Sequence, residues 1–241
     1  REILEGISEL AQKYKAPVFT HSSETKSEVE GCIERYGKTP TELFEEIGLW
    51  NWGGGGYHSV WLSGNDLQIY KKRGLWAIIN AGSNSKLASG ICDVQKMSNM
   101  GINLAVGTDG PSSNNALDMF REMYLISVLQ KLKYNDAAAM DANEILKAAT
   151  SGSAKCMGLT DCDCIAEGKL ADLMIIDLER PNMQPINNIT KNLVYSGSKD
   201  DVKMTMINGK ILYENGEFVN IDKEEIYAKA QEICNRLKNQ A

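Results

Sequence analysis

Only two histidines occur in the 241 residues, His21 and His58, and each falls at or inside a short run that reads as a strand. Glu24 follows His21 by three residues, in Ser22-Ser23-Glu24-Thr25. A third run, Asn103-Leu104-Ala105-Val106-Gly107-Thr108, stops at Asp109, where Gly110 and Pro111 forbid the strand to continue. Imidazole and carboxylate donors suit zinc, iron or manganese, and a bound water on such an ion has its pKa lowered to roughly 7. In that chemistry Asp109 binds the ion and takes the proton of the attacking water, and Glu24 passes a proton to the substrate. His58 orients the nucleophile and stabilises charge on the tetrahedral oxygen. Plainer roles stay open from the residues alone. Thr108-Asp109-Gly110 serves equally well to cap the next helix or brace a turn, and a lone histidine at a strand end is commonly structural.

The elements that must position these groups follow from periodicity. Residues Arg1 to Tyr14 have helical spacing, and Ala16 to Thr20 form a short strand ending at His21. Lys26 to Arg35 is a helix, and Thr39-Pro40 starts another. Gly53 to Gly56 reads as a mobile loop or a close backbone approach to a ligand, and Tyr57 to Leu62 as the strand that carries His58. Ser63 to Arg73 is helical, Leu75 to Ile79 is a strand ending at Asn80, and Ala81 to Gly90 reads as a long polar loop. A short helix around Val94 to Met97 precedes the Asp109 strand. A helix from Leu117 to Leu132 and one capped by Asp141 and Asn143, running to about Met157, follow. This alternation predicts a parallel α/β architecture, whose carboxyl strand ends gather ligands and chemistry on one face.

Beyond Leu159 the pattern changes. Ala171 to Asp177 and Val202 to Ile207 read as strands, Asn208-Gly209 is a hairpin turn into Lys210 to Tyr213, and Asn215-Gly216 makes another turn. These predict a small antiparallel unit. Asp222 to Leu237 is an exposed, well-capped final helix.

With 26 basic and 32 acidic side chains the net charge is −6, and no basic block tracks a phosphate backbone, which argues against nucleic acid as a partner. No apolar run approaches the ~20 residues that cross a bilayer, and the first residues do not resemble a signal peptide, so a protein without membrane partners is expected. Six scattered cysteines predict reduced thiols and a cytoplasmic setting, with Cys162-Asp163-Cys164 a surface turn.

Several segments carry a family likeness. His21-Ser22-Ser23-Glu24-Thr25, Tyr57-His58-Ser59-Val60-Trp61-Leu62, Gly82 to Gly90 and Gly107-Thr108-Asp109-Gly110 are among them, with Ser113-Asn114-Asn115, Leu117-Asp118-Met119 and the later Gly168 to Leu173. Together they resemble the amidohydrolase superfamily, in the branch of 5-methylthioadenosine/S-adenosylhomocysteine deaminases and triazine chlorohydrolases. The resemblance implies the second half of a (β/α)8 TIM-type barrel plus the carboxyl-terminal part of a small β-sandwich. It divides the chain into a hydrolase barrel segment over 1–158, a β-domain segment over 159–221 and a terminal helix over 222–241. It implies one divalent metal, Zn2+ or else Fe2+, with His21 and Asp109 as ligands. Glu24 then protonates the heterocycle, His58 polarises the attacked centre, and Glu24, His58 and Asp109 contact the substrate.

The implied activity is hydrolytic deamination of a purine nucleoside-type substrate, such as 5-methylthioadenosine, S-adenosylhomocysteine or adenosine, by a homo-oligomer. The zinc deaminases with His-x-Glu and Pro-Cys-x-x-Cys signatures are excluded, since both motifs are missing. The family's His-x-His pair is also missing, and Ile79-Asn80-Ala81-Gly82 stands where a histidine-proline pair is expected. The chain is therefore expected to begin before the fifth barrel strand, with a complementary amino-terminal half supplied in cis or in trans. The rival expectation is an inactive half-barrel or pseudoenzyme that binds a ligand or partner subunit.

Overall fold

A computed structural model describes residues 1–240. The chain opens with α1 (Glu2–Tyr14), β1 (Val18–Ser22), α2 (Lys26–Tyr36), α3 (Pro40–Glu46), β2 (Gly54–His58), α4 (Gly64–Arg73) and β3 (Trp76–Ile79). Then come α5 (Ala81–Lys86), α6 (Val94–Asn99), β4 (Asn103–Val106), α7 (Pro111–Asn114) and α8 (Met119–Tyr134). α9 (Ala142–Lys147) continues through a π-helical turn, Ala148–Gly152, into α10 (Ser153–Cys156). β1 to β4 form one parallel sheet in chain order, with helices in every crossover, as the alternation predicts.

Several helices packed around the sheet start on a legible signal. Thr39 and Ser63 close capping boxes with Glu42 and Asp66, satisfying amides that a helix start leaves free. Asp118 accepts from the Phe120 and Arg121 amides, so α8 begins at Met119 rather than Leu117. Ala77 and Ile79 of β3, with Leu75 just before it, pack with Tyr70, Met97, Ile102, Phe120, Met123 and Ile126 from the surrounding elements in one core. Phe44, Trp50 and Tyr70 meet edge to face within it.

Two further expectations are corrected. Gly54 to Gly56 are themselves the body of β2, and Ser59 to Leu62 form the turn after it. A Cβ on Gly54 would sit 1.8 Å from the Val18 carbonyl oxygen, one on Gly55 2.1 Å from that of Trp76, and one on Gly56 2.2 Å from the Tyr70 hydroxyl. The close approach is to neighbouring strands and to α4, so packing overrides the glycine propensity for loops. Residues Ala81 to Lys86, expected as loop, form α5. This helix buries Gly82, Ser83 and Asn84, and a helix that buries polar residues shows no apolar period.

The second sheet is antiparallel: β5 (Leu173–Ile176), β6 (Val202–Ile207), β7 (Lys210–Glu214) and β8 (Glu217–Phe218), with α11 (Ile189–Tyr195) between β5 and β6. Asn208 and Gly209 both adopt positive φ in the β6–β7 turn, the conformation a two-residue hairpin requires. The Ser127 and Tyr195 hydroxyls, 2.9 Å apart, join α8 to α11. The last helix, α12 (Lys223–Lys238), is capped by Asp222 and exposed along its length. No helix among the described residues is long and apolar enough to cross a membrane.

Candidate functional site

His21 lies on β1 one residue before its end, and parallel pairing sets it beside Tyr57 and sets Ser22 beside His58, the last residue of β2. That register brings the two imidazoles together: their rings stack with centroids 5.4 Å apart and planes 20° from parallel. The His21 ring is exposed, whereas His58 is only 1 % exposed.

His58 and Ser59 both take left-handed backbone conformations, φ 70° and 50°, which cost non-glycine residues about 1–2 kcal/mol each. The turn is held from three sides. The Ser59 amide donates to the Ser22 carbonyl at 3.2 Å, its hydroxyl donates to the Gly56 carbonyl at 3.0 Å, and the same hydroxyl lies 3.1 Å from the Tyr70 hydroxyl. Nδ1 of His58 lies 2.8 Å from Oδ1 of Asn84. An amide oxygen only accepts, so Nδ1 carries the hydrogen and Nε2 is turned to the remaining partners.

Among those partners is Glu24, whose Oε2 lies 3.8 Å from Nε2 of His58. Glu24 sits in the loop after β1, where Glu28 of α2 accepts the Ser23 and Glu24 amides at 2.9 and 2.7 Å. Ser89 donates its hydroxyl to Oε1 of Glu24 at 3.2 Å, and the Ser89 carbonyl takes the Trp61 indole N–H at 2.7 Å. The loops after β1, β2 and α5 are thereby tied to one another.

Asp109 stands three residues past β4 with φ 59°. Its Oδ1 accepts the Gly110 amide, and its Oδ2 accepts the hydroxyls of Ser83 and Ser113, each at 2.7 Å. Burial works against its charge, but these three donors prevail and hold the carboxyl below its ordinary pKa. A pocket of about 220 Å³ is lined by His21, Tyr57, His58, Ile78, Asn80, Gly107 and Asp109. All four groups singled out from the sequence thus gather at the carboxyl ends of β1, β2 and β4: three on the pocket wall and Glu24 against His58.

Ser83, Asn84 and Ser113, which hold Asp109 and His58, had no assigned role in the sequence reading. Nothing in a run of serines and asparagines distinguishes side chains that orient a site from those of a polar loop. For a metal, His21 and Asp109 supply one nitrogen and one oxygen donor to the same pocket, a chemistry that fits zinc as part of a ligand set. No group of three histidine, cysteine or acidic side chains capable of holding an ion occurs among the described residues.

The sequence model of the Amidohydrolase family matches residues 1–212. A 5-methylthioadenosine/S-adenosylhomocysteine deaminase of Pyrococcus furiosus is 42 % identical over 228 residues, 95 % of this chain and 54 % of the relative. A 5'-deoxyadenosine deaminase of Methanosarcina acetivorans is 36 % identical over 236 residues, covering 98 % and 54 %. Among solved structures, an adenosine deaminase from Xanthomonas campestris with bound zinc superposes with a TM-score of 0.94 at 33 % identity, over 98 % of this chain and 54 % of that one. An atrazine chlorohydrolase from Arthrobacter aurescens, complexed with zinc, shares the fold with a TM-score of 0.88 at 23 % identity, over 96 % and 51 %. The chain spans about half the length of the curated relatives it matches.

Proposed function

Since the chain belongs to the amidohydrolase family, we propose that it contributes the acid–base half of a metal-dependent active site that deaminates a purine nucleoside such as 5-methylthioadenosine, S-adenosylhomocysteine or adenosine. The observation that carries the reading is the convergence of His21, His58 and Asp109 on one pocket, with Glu24 3.8 Å from His58. The names of the relatives support the substrate class, and the zinc in the Xanthomonas campestris deaminase supports the metal, with iron the second choice.

On this reading His21 and Asp109 hold the ion, and the remaining ligands come from an amino-terminal half of the barrel. The complete protein is a (β/α)8 barrel with a small β-sandwich, working as a cytoplasmic homo-oligomer. When bound, the ion supplies a water acidified to a pKa near 7. Asp109, kept ionised by its three donors, takes the proton from the attacking water on a carboxylate oxygen. Glu24 delivers a proton to the ring nitrogen next to the attacked carbon, so that electrons displaced from the C=N bond end on a neutral atom. His58, fixed through Nδ1 by Asn84, turns Nε2 to the incoming water and, once protonated, to the charge on the tetrahedral oxygen. Passage of the proton held on Asp109 to the exocyclic amine, with loss of the remaining O–H proton back to Glu24, then releases ammonia and leaves a carbonyl.

The deciding experiment is Glu24→Gln in the complete protein. Deamination of 5-methylthioadenosine is expected to fall by about 10²–10⁴-fold, the usual contribution of a positioned acid, with bound metal at the parent level. A Glu24→Gln protein that deaminates at the parent rate refutes the acid role. A complete protein that binds neither zinc nor the nucleoside returns the chain to the rival reading of a non-catalytic half.

A further inference from the structure

Behind the pocket lies a carboxylate that the mechanism does not use. Glu122 of α8 is 0 % exposed, and no ion pair reaches it among the described residues. Burial pushes its pKa up, against two donors that pull it back, so folding carries a cost for this side chain. Those donors lie in two different segments: the Gly82 amide of α5, 2.9 Å from Oε2, and Nδ2 of Asn114, 2.7 Å from Oε1. The same Nδ2 also donates to the Thr108 carbonyl at 2.6 Å. Asn114 therefore binds the two ends of the Asp109 loop, and Glu122 binds that loop to α5.

The residues next to these anchors are the ones that reach the site. Following Gly82, Ser83 donates to Oδ2 of Asp109 and Asn84 accepts from Nδ1 of His58. Preceding Asn114, Ser113 donates to the same Oδ2 of Asp109. One carboxylate thus stands one or two residues along the chain from all three side chains that orient Asp109 and His58. The fit is tight: a Cβ on Gly82 would lie 2.4 Å from Oε1 of Glu122 and 2.7 Å from both polar atoms of the Asn114 amide. Apolar residues of similar volume commonly fold as well as a buried charge, so stability alone gives little reason for a carboxylate here.

We propose that Glu122 is a positioning residue for the reaction, joining α5 to the Asp109 loop so that Ser83, Asn84 and Ser113 hold the Asp109 carboxylate and the His58 ring in register. The proposal rests on the deaminase reading for its kinetic arm and on geometry alone for its second arm.

Glu122→Gln is the test, because it keeps the size but sets an NH2 against a donor at either the Gly82 amide or the Asn114 amide. In the complete, zinc-loaded protein, kcat for 5-methylthioadenosine is expected to fall about tenfold or more while KM moves less than about threefold, the pattern of a group misplaced in the transition state. Zinc content is expected to stay at the parent value. Hydrogen exchange is expected to quicken over residues 80–90 and 107–115 and to stay unchanged over β1. Gly82→Ala, which keeps the carboxylate and crowds it, carries the same expectations if Glu122→Gln does not fold. Parental kcat in the variant overturns the proposal, as does a loss of kcat with parental exchange in both segments. If the parent does not deaminate, the functional reading fails, and the exchange of the two segments alone upholds or overturns the link.

Discussion

At the scale of single residues, the site depends on hydrogen bonds that fix groups before any substrate arrives. Asn84 is 2 % exposed and supplies the only acceptor seen at Nδ1 of His58 among the described residues. Asn84→Ala leaves that buried N–H without a partner, which costs about 1–3 kcal/mol and frees the ring to turn. In the complete protein we expect a kcat at least about tenfold below the parent, with a melting temperature several degrees lower, about 2–4 °C for each kcal/mol. Parental kinetics would remove Asn84 from the site. Residue chemistry was also the most legible level of the sequence. His21, Glu24, His58 and Asp109 stand out because imidazoles are scarce here and because His21 and Asp109 follow short apolar runs, where strand geometry delivers side chains to one face. The groups that hold them escaped, since Ser83, Asn84 and Glu122 act through contacts with segments 26 to 40 positions away.

At the scale of elements, order and type were readable, and the failures share a cause. Helix starts were marked by Thr39-Pro40, Ser63 with Asp66, and Asp141, all of which cap locally. β2 and α5 were misread because what stabilises them is tertiary: glycines that admit neighbouring backbone, and polar residues buried against α8. β2 gives the sharper prediction. Gly54 has φ 119°, and a Cβ there would lie 1.8 Å from the Val18 carbonyl oxygen, with two further Val18 backbone atoms within 2.7 Å. Backbone cannot swing aside as the tip of a side chain does, so Gly54→Ala should destabilise by more than about 3 kcal/mol. Chemical denaturation checks this, and a loss under about 1 kcal/mol would mean that the strand shifts freely.

At the scale of the whole molecule, β1 and β4 are the two ends of the parallel sheet, and they are finished differently. On β4, Ser153 of α10 accepts the Val106 amide at 3.1 Å and donates to the Val106 carbonyl at 3.3 Å, covering part of that edge. β1 has no strand on its outer side among the described residues. An uncovered edge is a template for pairing with another chain. Residues 1–241 expressed alone should therefore run in sedimentation above their 26.6 kDa mass, and adding the amino-terminal half proposed above should return a discrete complex. A stable monomer of the isolated chain would contradict this.

One contact in the interior also couples two positions on different elements. Any methyl added at position 56 collides with the phenol oxygen of Tyr70, 2.2 Å from where it would stand. An alanine at 56 therefore needs that oxygen displaced or absent, so substitutions at 56 and 70 are coupled in their effect on stability rather than independent.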